Sequence, residues 1–350
     1  MGRVIVLDGR RVDDSSDCYV IAEVGHNHQG DVEKAKQMFQ MAKFCGADAV
    51  KLQKRHNKGL YTLEQYNKPY DNENSFGRTY GQHREALEFG RDEYKALKRF
   101  AKKIGITFFA TAFDFKSADF LEDLDMPAYK IASGDLKTLP LLRHVAKFGK
   151  PMIISTGGAT MDDIQRVYDA LMPVNRQLCF LQCTATYPTQ PEELDLKVIE
   201  TMRSRFPDVV IGLSDHYNGI AMAVVAYLLG ARVIEKHFTL NHSWKGTDHA
   251  FSLEPIGLQK MIRDLHRVRI ALGDGTKKVH KNEAGPLVKM GKKIVAARPL
   301  KKGHVLTRRD LALKSPGDGL APYEMERTVG KRLKKSLAAD ENVQLDDLDG

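Results

Sequence analysis

The sequence predicts an α/β chain in two parts. A closed (β/α)8 barrel (TIM barrel) covers residues 1–272, and after a linker at 273–290 a small, mainly β domain covers 291–350. Three observations lead there. Eight short apolar runs alternate with stretches of helical periodicity, the count of a closed eight-stranded barrel. Each run ends in polar residues, as strands do when their C-terminal ends share a catalytic rim. After Gly273 the alternation stops and turn-rich sequence follows.

The first run is YVIAEV (19–24). From Asp31 the stretch VEKAKQMFQMAKFCGA repeats apolar residues three and four apart and stops at Gly46, which reads as a helix. AVKLQ (49–53), TFFATA (107–112), AYKIA (128–132), MIIST (152–156), CFLQC (179–183), VVIGLS (209–214) and VIEKHF (233–238) complete the series. They are short and rich in Val, Ile and Phe, as parallel strands buried on both faces are. Helices are expected over 91–104, 117–124, 138–148, 161–172, 192–205, 218–229 and 255–272. An open doubly wound sheet is the alternative, but no glycine-rich phosphate fingerprint follows the first run. The interval from the second run to the third is long, and its excess, 54–90, is polar and aromatic. It reads as a lid or as a decorative loop. The linker GDGTKKVHKNEAGPLVKM leads into a unit punctuated by KKGH, KSPGDG and AADEN. A core of some sixty residues is marginal, so this unit is expected to lean on another surface.

Bulk properties narrow the function classes. No apolar run reaches membrane-spanning length, and the N-terminus lacks the apolar core of a signal peptide, so a cytoplasmic protein is expected. Cys18, Cys45, Cys179 and Cys183 make neither a disulfide framework nor a zinc pattern. The net charge is +9, and Lys277–Lys335 alone holds 17 Lys/Arg against 5 Asp/Glu. That segment lacks aromatic interleaving and any nucleic-acid motif, so no nucleic-acid partner is expected; a charged small substrate suits it better.

The polar residues at the strand ends carry the chemistry. They are Glu23, His26, Asn27 and His28 after the first run, then Lys51 and Gln53, Thr111 and Asp114, Lys130, Ser133 and Asp135. Ser155 and Thr156, Gln182, Thr184 and Tyr187, Ser214, Asp215 and His216, and Glu235, Lys236 and His237 follow. Side chains two apart on a strand share a face. Lys51 and Gln53 therefore point together, as do Ser214 and His216, and Glu235 and His237. The last two strands are neighbours, so the imidazoles of His216 and His237 meet. Two histidines with open positions suit a catalytic divalent metal; Glu235, water or substrate would complete it. Lys51 and Lys130 either hold anions or, for one of them, form a Schiff base. The hydroxyls of Ser133, Ser155, Thr184 and Ser214 favour an oxyanion cradle for phosphate or carboxylate.

These stretches resemble the N-acylneuraminate (sialic acid) synthase family. IAEVGHNHQGD, DAVKLQ, YKIASGDL, ISTGGAT, QCTATYPT, GLSDH, IEKHFTL and WKGTDHAFSLEP occur in the family's order, and RPLKKGHVLTRRDLALKSPGDGL resembles its terminal antifreeze-like (SAF) domain. YNKPYDNENSFGRTYGQHREALEF and WKGTDH look most like the animal-type branch, which takes a 6-phosphorylated sugar. The resemblance implies metal-dependent condensation of phosphoenolpyruvate with an amino sugar such as N-acetylmannosamine, or its sugar phosphate. It implies that His216 and His237 hold Mn²⁺ or Mg²⁺, with Glu23 and Asp135 also catalytic. Lys51 and Thr111 would face the phosphoenolpyruvate carboxylate, and Lys130, Ser133, Ser155 and Ser214 its phosphate. Glu23, Gln53, Tyr187 and Asp248 would face the sugar. A homodimer is implied in which each SAF domain closes the partner's site. Three residues depart from the bacterial pattern: Asp135 replaces Glu, Ala185 replaces a polar residue, and Ser315 stands where an Arg reaches the sugar. The acceptor stays open among N-acetylmannosamine, its 6-phosphate, mannose 6-phosphate and a diacetamido-hexose. Arg78, His83 and Arg84 in the long insert either bind a 6-phosphate or are solvated. Two other functions use parts of the same rim: a Schiff-base pyruvate aldolase acting through Lys130, and a catalytically inactive carbohydrate- or ice-binding protein.

Overall fold

The computed structural model describes residues 2–349. The chain divides into two compact units after Leu272.

The first unit opens with a hairpin that the sequence reading did not anticipate, β1 (Val4–Leu7) and β2 (Arg10–Asp13). Its turn, Asp8-Gly9, takes positive φ at both residues, the conformation that suits two-residue hairpins. Ile5, Leu7 and Val12 are buried among Tyr19, Ile21, Phe109, Ile153, Val210 and Val233, so the hairpin plugs the end of the barrel where strands begin. The barrel strands are β3 (Tyr19–Gly25), β4 (Ala49–Lys54), β5 (Thr107–Ala112), β6 (Tyr129–Ile131), β7 (Met152–Ser155), β8 (Leu178–Cys183), β9 (Val210–Asp215) and β10 (Val233–His237). They pair in parallel and in sequence order, and β10 closes on β3. That closure excludes the open doubly wound sheet.

Helices cover the outside. They are α1 (Val32–Phe44), three short helices in the long insert, α2 (Asn57–Leu60), α3 (Leu63–Asn67) and α4 (Tyr80–Ala86), then α5 (Arg91–Ile104), α6 (Phe115–Asp123), α7 (Leu139–Ala146), α8 (Met161–Leu171), α9 (Val198–Arg205), α10 (Ala221–Leu228) and α11 (Pro255–Ala271). Local chemistry sets their ends. Asp31 accepts from the Glu33 and Lys34 amides at the start of α1, Thr160 and Asp163 form a capping box on α8, and Gly105 in the left-handed region ends α5. The stretch expected to be helical over 192–205 is shorter, because Pro191–Glu193 forms a separate 3-10 turn and Asp195 at positive φ interrupts the path to α9. No helix among the described residues is long and apolar enough to cross a membrane.

The second unit begins earlier than its first strand. The 3-10 turn Lys281–Glu283 and α12 (Ala284–Met290) occupy the segment read as linker, and the Gly317 amide donates to the Val288 carbonyl at 2.7 Å. Two antiparallel pairs follow, β11 (Lys293–Ala296) with β12 (Leu311–Lys314), and, after α13 (Met325–Thr328), β13 (Arg332–Leu333) with β14 (Leu348–Asp349). Its own core is built from Ile294, Leu300, Leu306, Leu333, Leu337 and Val343. Buried Asp310 ties its loops by accepting from Arg298, Thr307 and His304.

Candidate active site

The C-terminal ends of the barrel strands surround a cavity of about 530 Å³, a size that takes small molecules. Glu23, Lys51, Gln53, Thr111, Lys130 and Glu235 line it, and Ser133, Ser155, Tyr187, Ser214, His216, His237 and Asp248 join them. Alternation explains the choice: Lys51 and Gln53, Ser214 and His216, Glu235 and His237 all face inward. Their intervening neighbours, Asp215 and Lys236, make a separate buried ion pair at 2.6 Å.

Two lysines and two glutamates form the floor. Lys51 Nζ lies 2.6 Å from Glu23 Oε2 and donates to Thr111 Oγ1 at 2.8 Å. Lys130 Nζ donates to Ser155 Oγ at 2.6 Å and to the Ile131 carbonyl at 3.0 Å. Glu235 stands between them, 3.8 Å from Lys51 and 3.6 Å from Lys130. Burial opposes its ionisation, but both lysines outweigh burial and hold its carboxyl below the usual range. Glu23 behaves oppositely: burial raises it, and the neighbouring Glu235 adds to that, in spite of Lys51. Its Oε1 accepts from Gln53 Nε2 at 2.7 Å. The pair therefore separates into an ionised Glu235 and a Glu23 readier to carry a proton.

The two histidines meet above this floor, with ring centroids 5.4 Å apart. His216 Nδ1 lies 2.9 Å from the Thr184 carbonyl, which only accepts, so Nδ1 is the donor and Nε2 is the nitrogen left for another partner. His237 Nδ1 is buried without a hydrogen-bond partner, 3.8 Å from Asp248 Oδ2. Burial lowers its pKa, which keeps the ring neutral. Tyr187 packs over His216 at 4.2 Å, and Phe251 over His237 at 4.9 Å. A neutral His237 with an unpartnered buried nitrogen, beside His216 with its Nε2 left for another partner, fits a divalent cation. Among the described residues no cluster of three or more His, Cys, Asp and Glu side chains would hold one alone. The pair therefore fits an open site that water or substrate completes.

Asp135 is the expected site residue that does not line the cavity. The turn Ser133–Asp135 presents Ser133 and Gly134 there instead, while Asp135 is half-buried beside Thr138. Ser133 Oγ accepts from the Gly157 amide at 3.0 Å. Ala185 lines the cavity without a polar side chain, and Ser315, in the second unit, is exposed and meets Lys292 and the Met290 carbonyl. Several other polar strand-end residues serve the frame. Asn27 donates to the Phe238 carbonyl, Gln182 to that of Leu194, and Thr184 to that of Glu193, while Asp114 caps α6. Of Arg78, His83 and Arg84, the insert residues considered for a 6-phosphate, only Arg84 reaches the cavity; Arg78 is exposed, and His83 is buried, accepting from the Phe76 amide. Arg55 also lines the cavity and was missed, although its spacing from Lys51 and Gln53 continues the same strand face.

A closed β/α barrel whose rim gathers ammonium, carboxyl, hydroxyl and imidazole groups around one cavity has the construction of an enzyme that handles a small anionic molecule. The chain belongs to the NeuB family, whose profile matches residues 38–277, and an SAF domain follows at 293–349. It is 41% identical to human N-acetylneuraminate-9-phosphate synthase over 336 residues, 96% of this chain and 94% of the human protein. It is 35% identical to N,N'-diacetyllegionaminic acid synthase of Legionella pneumophila, over 93% of each chain. The crystal structure of N-acetylneuraminic acid synthetase from Leptospira borgpetersenii, in complex with citrate, superposes with a TM-score of 0.71 at 29% identity, covering 82% of this chain and 95% of that one. The named relatives are synthases of the sialic-acid type, and they support reading this chain as an enzyme.

Proposed function

We propose that the chain condenses phosphoenolpyruvate with the open-chain aldehyde of an N-acetylmannosamine-type sugar, with or without a 6-phosphate, giving a nonulosonic acid or its 9-phosphate and inorganic phosphate. The observation that carries this reading is the placement of Lys51 with Thr111 and Lys130 with Ser155 in one cavity with the His216–His237 pair. The first two sets suit the two anionic ends of phosphoenolpyruvate. The names of the relatives supply the product class.

In the reaction the methylene carbon of phosphoenolpyruvate bonds to the aldehyde carbon. Water adds at C2, and the bond from C2 to the phosphate oxygen breaks to leave a ketone. One water proton goes to the former aldehyde oxygen and the other to the departing phosphate. Lys51 and Thr111 orient the carboxylate; Lys130, Ser133, Ser155 and Ser214 hold the phosphate. Glu23, raised by burial, moves the proton on the sugar side. Mn²⁺ or Mg²⁺ held by His216 and His237 would supply Lewis-acid polarisation of the aldehyde oxygen. Tyr187 and Phe251 shield that face from water. A homodimer belongs to the same reading, with the SAF unit closing the partner's site; light scattering at a mass of one chain would remove it.

The test is phosphate release from phosphoenolpyruvate, with product masses read across N-acetylmannosamine, its 6-phosphate, mannose 6-phosphate and a diacetamido-hexose. Release is expected only with an aldehyde sugar and a divalent cation together. EDTA abolishes it and Mn²⁺ restores it. Turnover that ignores EDTA, or persists in a His216→Ala/His237→Ala double variant, would remove the metal role. No release with any sugar would remove the condensation itself.

A further inference from the structure

Asp215 and Lys236 put a charged pair where the strand pattern calls for apolar residues. Side chains two apart share a face. Asp215 therefore continues the outward face of β9 after Ile211 and Leu213, and Lys236 stands on that of β10 between Ile234 and Phe238. All four of those neighbours belong to the apolar layer that the barrel shares with its helices. Asp215 and Lys236 are each 1% exposed, and neither lines the cavity. Taking two charges out of water is costly, and apolar side chains of similar volume are often at least as stable in such a place. Stability is therefore a weak reason for this pair.

Its geometry supplies a stronger one. The two residues are direct partners in the β9–β10 ladder, and the ladder ends with them. Lys236 Nζ lies 2.6 Å from Asp215 Oδ2. It also donates to the Tyr217 carbonyl, while Asp215 Oδ1 accepts from the Tyr217 amide at 2.8 Å. These bonds fold residue 217 back towards the pair, and His216 is the residue inside that fold. On the other strand, the residue that follows Lys236 is His237. Beyond the ladder each histidine is tied to a different loop. The Thr189 amide donates to the His216 carbonyl at 3.1 Å, and the Leu253 amide to that of His237 at 2.7 Å. Among the described residues no cluster of three or more His, Cys, Asp and Glu side chains cages a cation. The spacing of the two rings therefore depends on the strand ends that carry them.

We propose that the Asp215–Lys236 pair is a positioning device for the divalent cation. It locks the ends of β9 and β10 together, and so sets the distance and tilt at which His216 and His237 present their rings to one ion. This rests on the metal role proposed above. Neither residue touches substrate or cation; both act through the histidine that follows them in sequence. A buried ion pair suits that task, because its charges hold one geometry where apolar side chains could slide.

The experiment reads Mn²⁺ affinity directly, from the electron spin resonance signal of the free ion, in the full chain with and without phosphoenolpyruvate. Melting curves screen each variant for folding. Asp215→Leu/Lys236→Met replaces both charges with apolar side chains and should fold. It should nevertheless bind Mn²⁺ about 10- to 100-fold more weakly, as loss of the support behind metal ligands does. Saturating Mn²⁺ should restore most of its phosphate release, with KM for phosphoenolpyruvate unchanged. Lys236→Arg keeps the charge opposite Asp215 and should recover part of the affinity. Asp215→Asn keeps the shape and the acceptor for the Tyr217 amide, so it decides the matter if the double variant does not fold; its Mn²⁺ binding should weaken several-fold. Wild-type Mn²⁺ affinity in either folded variant overturns the proposal. So does a loss of Mn²⁺ affinity matched by an equal loss of phosphoenolpyruvate binding, which marks a pair that only holds the fold. A wild-type chain that binds neither Mn²⁺ nor Mg²⁺ overturns the metal role and this proposal together.

Discussion

Asp135 shows how burial converts a side chain's position into a pH dependence. Burial pushes its carboxyl up to about 6, in spite of Arg55 and a bond from the Thr138 hydroxyl. The folded state therefore holds the proton more tightly than the unfolded chain does. Stability is full below the unfolded pKa of 3.8 and falls as pH rises towards 6. Asp135→Asn, which mimics the protonated form, should leave melting unchanged near pH 4. Near pH 7.5 it should stabilise the chain by up to ~2 kcal/mol, once partial exposure is discounted. An equal shift at both pH values would sink this account. Lys130 gives a second test. Burial lowers its pKa, which alone would suit a Schiff-base amine. Its Nζ is nevertheless held by Ser155 and the Ile131 carbonyl, with Glu235 at 3.6 Å. Pyruvate with borohydride should therefore add no mass to Lys130, while Lys130→Met should lower kcat/KM for phosphoenolpyruvate by ~100-fold or more. Lys51, His216 and His237 were legible because period-two alternation assigns faces without coordinates, and Lys130 because it stands at the end of an apolar run. Arg84 was legible only as one of three candidates, with Arg78 and His83, since the fold of α2–α4 decides which one points inward. Asp135 was beyond the reach of that rule, because it lies past the strand, at the end of the 3-10 turn that brings Ser133 and Gly134 to the cavity.

The eight barrel strands could be read from sequence because burial on both faces leaves short, unbroken apolar runs. The β1–β2 hairpin could not, because it contributes only Ile5, Leu7 and Val12 to the core, although its Asp-Gly turn was a signal in view. The supposed linker hid α12 because that helix is short and largely exposed. The two ends of the barrel make separable predictions. Leu7→Ala opens a cavity at the plugged end and should cost roughly 3 kcal/mol in denaturant unfolding. It should leave KM for both substrates in place, because the catalytic rim is at the other end. Gly25→Ala should do the reverse. Gly25 ends β3 at φ +54°, where a Cβ would sit 3.1 Å from Glu23 Oε1 and 3.2 Å from Gln53 Nε2. Backbone strain costs about 1 kcal/mol. The larger effect should be a raised KM for the sugar as Glu23 and Gln53 are displaced. A Gly25→Ala enzyme with normal sugar KM would argue that these two side chains do not face the acceptor.

Over the whole molecule, charge separates from shape. The barrel floor is close to neutral, since Lys51 and Lys130 stand against Glu23 and Glu235. The net charge of +9 comes from elsewhere, and the 17 Lys/Arg against 5 Asp/Glu of Lys277–Lys335 more than account for it. Within the second unit, Lys301 and Lys302 are exposed. A field of that sign attracts anionic substrates over a distance, and salt screens it within about 10 Å at 0.1 M. With phosphoenolpyruvate and a sugar phosphate as substrates, kcat/KM should fall several-fold between roughly 0.02 and 0.3 M salt, with kcat nearly constant. Lys301→Glu/Lys302→Glu reverses two charges without touching the core of the second unit. It should lower kcat/KM about twofold at low salt, and the difference from wild type should vanish at high salt. A deficit that persists at high salt would mean that these lysines act by direct contact and not through the field. A sugar without phosphate supplies the control, because its own KM should respond to neither salt nor the substitution.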